Sequence, residues 1–286
     1  METTGERTSH APLAGMKNPL ARALLRRELP SRPNSAQPTD ESYLTTLEKQ
    51  VEELEHAVQY IGDRLDSATV LRKEFDGSVW FVEVQPYPLD YVSVFMRYTN
   101  WWEEWMLPII RQLFQQRTGV VLDCGANIGT HTLIFSKTHS VWAFEPQPET
   151  FQILERNVHR NGCETTKCFN TALSDHTGTM CMSPLDVNNV GSRKVCADGT
   201  DLQAVSVSTL DKVMQSNGNP NVAFVKLDIE GHELQMLRGA TAMLAQRPPI
   251  LFEDHTGETA KWLSEMYTTV VRLHDADCLA LNGTYG

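Results

Sequence analysis

Nothing in the 286 residues approaches the run of roughly 20 apolar side chains that a membrane helix needs, so no bilayer span is expected. The opening stretch, METTGERTSHAPLAGMKNPLARALLRRELP, lacks the apolar core and small-residue cleavage site of a secretory signal. Cysteine is sparse. The six residues at 124, 163, 168, 181, 196 and 278 contain no C-x-x-C pair, which argues against a structural zinc site and against a disulfide framework. Buried thiols in a reducing cytoplasm are the expectation; a short basic helix over Leu20 to Leu29 leaves organelle import as the alternative. Positive charge is also short, with 25 Lys and Arg against 36 Asp and Glu. Six of those bases fall in residues 1–40 beside four acids, so the remainder is the more acidic part. Such a body repels phosphate backbones, and no nucleic-acid partner is expected.

What is present is ample apolar material for a core, 41% of the chain. Residues 1–39 read as a disordered tail rich in Pro, Ser, Thr and Arg. Over 40–66 the residues Leu44, Leu47, Val51, Leu54, Val58, Ile61 and Leu65 alternate spacings of three and four. That period keeps one apolar seam on a helix, suited to a coiled-coil homodimer through 44–65 or to packing on its own domain. Residues 70–118 read as a cap segment: strands at Ser78–Val84 and Tyr91–Phe95, then an aromatic helix from Trp101 to Phe114 kinked at Pro108.

Over 119–286 the pattern becomes strand, helix, strand, helix. Strands are expected at Val120–Asp123, Val141–Glu145, Lys167–Leu173, Val222–Asp228 and Ile250–Glu253, and a closing hairpin at Thr269–Leu273 and Cys278–Leu281. A helix bearing Leu234, Leu237 and Leu244 lies between the fourth and fifth strands. Continuous apolar strands alternating with amphipathic helices imply an α/β fold, a mostly parallel sheet with helices on both faces.

In such a sheet ligands bind beyond the carboxyl ends of the strands, and the polar residues collect there. The first strand runs into Asp123-Cys124-Gly125-Ala126-Asn127-Ile128-Gly129, a G-x-N-x-G turn distinct from the G-x-G-x-x-G of dinucleotide binders. Glu145 ends the second strand, where a carboxylate can accept both hydroxyl protons of a ribose. The fourth strand ends in Asp228, Glu230 and His232, and the fifth in Glu253, Asp254 and His255. Close carboxylates raise one another's proton affinity, one route to a base that works near neutral pH. No H-x-x-x-H spacing accompanies them, so no metal is expected.

These residues carry a resemblance. VLDCGANIGTHT (121–132), VWAFEPQPETFQILERNVHRNG (141–162), NTALSDHTG (170–178), VKLDIEGHELQMLRGA (225–240) and PILFEDH (249–255) together resemble the FkbM family of S-adenosylmethionine-dependent methyltransferases. The resemblance implies a Rossmann-like class I sheet of seven strands with the last antiparallel. It implies S-adenosylmethionine held by Asp123, Gly125, Asn127, Gly129 and Glu145, with Ser174 and Asp175 near the adenine. Asp228, Glu230 and His232 would do the chemistry. Asn188, Asn189, Glu253 and His255 would face a small-molecule or sugar hydroxyl acceptor, with Gly191 in the same loop as the two asparagines. The competing readings are an NAD-dependent oxidoreductase using the same crevice, or a noncatalytic adaptor assembling through the heptad helix.

Overall fold

The described residues open with a hairpin. Strands β1 (Val70–Phe75) and β2 (Ser78–Glu83) pair antiparallel, with Phe75 opposite Ser78. The turn is Asp76-Gly77, both at positive φ (53° and 67°), the geometry whose twist matches that of the strands. The computed structural model describes residues 70–85, 90–114, 117–183, 193–196 and 203–283. The tail at 1–39, the heptad helix at 40–66 and the Asn188-Asn189-Gly191 loop lie outside them.

Two elements of the cap differ from expectation. Tyr91–Phe95 alternates like a strand but lies in a helix, α1 (Tyr91–Tyr98), because Asp90 caps it: its carboxylate accepts the Ser93 N–H at 2.7 Å. Met96 is then fully buried, so capping and packing outweigh the period-two pattern. The stretch from Trp101 is no single helix either. It breaks at Glu103, which is left-handed (φ 50°), passes through a 3-10 turn (Glu104–Met106) and continues as α2 (Leu107–Phe114). Pro108 therefore sits in the first turn of a new helix, where its missing N–H costs nothing, and kinks nothing.

The main sheet follows. Strands β3 (Val120–Cys124), β4 (Ser140–Phe144) and β5 (Lys167–Phe169) alternate with helices α3 (Thr130–Ser136) and α4 (Pro148–Arg160). A smaller four-stranded sheet comes next, from β6 (Ala172–Leu173), β7 (Gly178–Met182), β8 (Val195–Cys196) and β9 (Ala204–Ser208). The third expected strand is thus divided at Asn170, whose side-chain N–H groups reach back to the carbonyls of Glu145 (2.9 Å) and Pro146 (3.1 Å). Helix α5 (Leu210–Ser216) leads to β10 (Val222–Leu227), then α6 (Glu233–Arg238) and α7 (Thr241–Gln246). One helix was expected there. It is split because Gly239 passes so close to the Ser174 carbonyl that a Cβ would lie 2.1 Å from its oxygen, and Asp211 caps the N–H groups of Thr241 and Ala242. β11 (Ile250–Glu253), α8 (Glu258–Leu263), β12 (Thr269–His274) and β13 (Asp277–Leu281) complete the chain.

The seven-stranded order is β12-β13-β11-β10-β3-β4-β5, parallel except for β13, which runs against both neighbours. Alternate residues face opposite sides. Leu122, Trp142 and Phe252 pack with Met214, Met236 and Leu263; Val121, Val141 and Phe224 pack with Ile110, Leu113 and Phe135. Both faces are covered, as the apolar strands required. Among the described residues no helix is long and apolar enough to cross a membrane.

The hairpin is fastened to α4 by the fully buried amide of Asn157, with Asn161 bonding Phe81 and Arg156 and Arg160 pairing with Glu83 nearer the surface. Asn157 Oδ1 accepts the Glu83 N–H (2.6 Å), while Nδ2 donates to the Glu83 and Ile128 carbonyls, each at 2.8 Å. Asn157→Ala strands those backbone groups, and urea unfolding is expected to show a loss of about 3 kcal/mol. A midpoint like that of the wild type would mean that the amide does not hold the hairpin.

Candidate active site

The order of the sheet puts its topological switch between β3 and β10, and backbone bonds tie the strand ends there. The N–H groups of Gly125 and Ala126 donate to the Phe144 carbonyl, each at 3.0 Å. Asp228 N–H donates to Cys124 O (3.0 Å) and Glu145 N–H to Phe169 O (3.1 Å). Gly125 has φ 84°, and a Cβ there would stand 1.7 Å from the Asp228 carbonyl oxygen. Glycine alone lets the two loops touch. Above them opens a cavity lined by both loops and by residues of the cap.

On one side of the cavity stands Glu145. Its two oxygens accept the backbone N–H groups of Asn127 (3.0 Å) and Gln147 (2.9 Å). Burial pushes the carboxyl up to about 7, while those two bonds pull the other way. Asn127 is itself left-handed (φ 49°) and donates this bond because the turn is wound that way. Asp123 is fully buried under the turn rather than in the cavity wall; its carboxylate accepts Thr132 Oγ1 at 2.5 Å, and burial raises its pKa. Gly129 is left-handed at the start of α3, against Leu154.

On the other side, acids surround a buried ammonium. Lys226, 3% exposed near the end of β10, reaches Asp228 Oδ2 at 2.8 Å. Burial works against its charge, but Asp228, Glu103 and Asp123 outweigh it and hold the pKa above the ordinary lysine value. Glu230 is left-handed (φ 60°), and burial, then Asp228 and Glu253, push its carboxyl up to about 7. Its loop is pinned by buried Glu233, which accepts the N–H groups of Ile229 (3.1 Å) and Gly231 (3.0 Å).

Of the residues singled out in the sequence, Gly125, Asn127, Glu145, Asp228, Glu230, His232 and Glu253 line the cavity. His232 turns Nε2 to Ser174 Oγ at 2.9 Å, so these two are brought together. Asp175 lies outside the wall, bonded to His176 at 2.8 Å. His255 is exposed and also outside the wall, with Nε2 3.2 Å from Glu253. Asp254 spends its carboxylate on the N–H groups of Thr256, Gly257 and Ala260, a loop-holding role.

Cavity residues that went unmarked include Glu103, His131 and Lys226. Lys226 carried a readable signal, a lone charge in the apolar strand Val222–Leu227, two residues from Asp228 and so on its face. Glu103 comes from the cap and carried none; Trp102 stood in the cap's aromatic run, whose commoner role is packing and whose lesser one is lining a substrate site.

Fold and site together define a class I methyltransferase: a seven-stranded sheet with one antiparallel strand, a glycine turn after β3 and a carboxylate at the end of β4 in one crevice. Residues 123–277 match the family model described as the methyltransferase FkbM domain, and the chain belongs to the FkbM methyltransferase family. It is 33% identical over 174 residues to the hexuronic acid methyltransferase AglP of Haloferax volcanii, covering 58% of this chain and 72% of that protein. With the methyltransferase sdnD of Sordaria araneosa it shares 24% identity over 153 residues, covering 42% of this chain and 59% of the relative. Among solved structures, the methyltransferase FkbM from Methylobacillus flagellatus aligns at 20% identity with a TM-score of 0.42, over 57% of this chain and 43% of that one.

The buried carboxyl of Glu145 gives the free protein a pH signature. Its pKa is about 7 when folded, against 4.5 for an ordinary glutamate. The folded state therefore binds the proton more tightly, and the stability this contributes is full below pH 4.5 and lost as pH rises through 7. Glu145→Gln removes the titration. Relative to wild type it is expected to gain about 3 kcal/mol between pH 4.5 and 8. Parallel melting curves of the two proteins across that range would refute the assignment.

Proposed function

We propose that the protein transfers a methyl group from S-adenosylmethionine to a hydroxyl oxygen of a small polar acceptor, a sugar foremost. The observation that carries this is Glu145, anchored by the Asn127 and Gln147 N–H groups beside a turn at Gly125 that tolerates no side chain. An ionised carboxylate so held can accept the two hydroxyl protons of a ribose with its remaining lone pairs. Asp123 and Gly129 support the turn from beneath, and His232, held from behind by Ser174, closes the wall toward the adenine side. The residues fit the cofactor, which supplies an activated methyl on a sulfonium when bound. The likeness to a hexuronic acid methyltransferase supports a sugar acceptor.

The protein's own work is to align the acceptor oxygen, exclude water and remove a proton. Asp228 is engaged with the Lys226 ammonium and His232 with Ser174. Glu230, with its carboxyl at about 7, is the candidate suited to take the acceptor's proton near neutral pH. Glu253 beside it, and the Asn188-Asn189 loop, remain the expected acceptor contacts.

Isothermal calorimetry with S-adenosylmethionine tests the reading. Wild type is expected to bind it and to ignore NADH, while Glu145→Ala weakens binding about 100-fold, the loss of two charge-assisted hydrogen bonds. Unchanged affinity in the variant would remove the ribose assignment, and a preference for NADH would replace the function.

A further inference from the structure

On that reading the cavity has a second half, and the cap segment ahead of the family-matched residues 123–277 builds part of it. Glu103 reaches the cavity from a left-handed residue at the end of the Trp101-Trp102 turn. Its Oε2 stands 3.4 Å from His131 Nε2. Both atoms are buried, and neither makes a hydrogen bond among the described residues. His131 is 6% exposed and lines the same cavity from α3; burial, then Lys226, lowers its pKa well below the ordinary value, so the ring is neutral. Two buried polar atoms left this way are costly unless something completes them. A ligand hydroxyl does so for the imidazole tautomer that carries its proton on Nε2: it donates to the carboxylate and accepts from the ring N–H. One oxygen at the apex of a triangle reaches both.

Beside the pair stands an aromatic wall. Trp102 lines the cavity and is fixed by edge contacts with Tyr91 (centroids 5.6 Å, 87°) and Phe95 (5.0 Å, 90°). A rigid indole next to hydroxyl-binding groups suits the C–H surface and hydroxyl rim of a pyranose. Charge then selects among pyranoses. Glu103, Asp228, Glu230 and Glu253 all line this cavity; among the described lining residues the two cations are engaged, Lys226 with Asp228 and Arg193 with Ser183 and Gln203, while Lys194 near Gly231 acts on Glu230. Above about pH 7, where Glu103 and Glu230 have lost their protons, an acceptor carboxylate would meet like charge.

We propose that Glu103 and His131 form the hydroxyl-binding pair of the acceptor subsite, with Trp102 as its wall, and that the subsite takes an uncharged sugar in preference to a uronate. The full-length protein is titrated with methyl β-D-glucopyranoside, methyl β-D-galactopyranoside, methyl α-D-mannopyranoside and methyl β-D-glucuronide, following tryptophan fluorescence and ligand-observed NMR. At least one neutral glycoside is expected to bind about tenfold more tightly than the glucuronide. Glu103→Gln and His131→Gln are each expected to weaken that binding at least tenfold, with calorimetric affinity for S-adenosylmethionine held within twofold. Tighter binding of the glucuronide, no binding of any glycoside, or unaltered sugar affinity in both variants would overturn the proposal. Because sugar binding is read without the cofactor, failure of S-adenosylmethionine to bind would count against the methyltransfer reading alone.

Discussion

The carbonyl oxygen of Asp228 lies where a side chain at residue 125 would begin. Everything at the crevice follows from that contact. It requires glycine after β3, it brings the glycine turn and the acidic loop after β10 together, and it leaves Asp228 N–H to bond Cys124 O across the switch point. Glu145 reaches the same place because Gly125 and Ala126 both donate to Phe144 O at the neighbouring strand end. The site is thus a consequence of sheet order plus one missing Cβ.

Electrostatics add a second constraint. The acids along this crevice are largely desolvated, and Glu103, Glu145 and Glu230 all have carboxyls pushed up to about 7, burial being the first cause of each. Lys226 offsets part of this cost from inside the sheet, since its ammonium faces Asp228, Glu103 and Asp123 at once. Backbone strain collects at the same place. Asn127, Glu103 and Glu230 are all non-glycine residues at positive φ, and all line the cavity. Each costs of order 1 kcal/mol, and the surrounding bonds, two to Glu233 among them, keep the loops so wound. Strain and desolvation concentrated in one cleft mark a surface shaped for a ligand rather than for stability.

Much of the sheet was legible because a parallel strand buried on both faces is a continuous apolar run that ends where the chain reaches solvent. Asp123, Glu145, Asp228 and Glu253 were visible as acids closing such runs, and the structure gathers Glu145, Asp228 and Glu253 in one cavity wall. The misreadings have local causes. Tyr91–Phe95 alternates with period two, and only the cap at Asp90 and the burial of Met96 make it a helix. Lys167–Leu173 reads as one strand until the Asn170 side chain bends it. Glu103 and His131 had no signal at all, since their meeting depends on how a turn of the cap lies over α3, and no spacing along the chain encodes that.

The division of the site follows the division of the chain. Residues that would hold the nucleoside, Gly125, Asn127 and Glu145, belong to the β3–β4 unit and act through backbone bonds that any family member with the same turn can make. The facing wall comes from Tyr91, Trp102 and Glu103, ahead of the family-matched residues, in a cap whose hairpin is held to α4 by side chains such as Asn157 rather than by pairing with the main sheet. A wall attached that way can change its residues without disturbing the turn beneath it. On the proposed reading, acceptor choice is therefore free to vary while cofactor geometry stays fixed, because the two halves meet through Lys226 and the cavity and not through a shared strand.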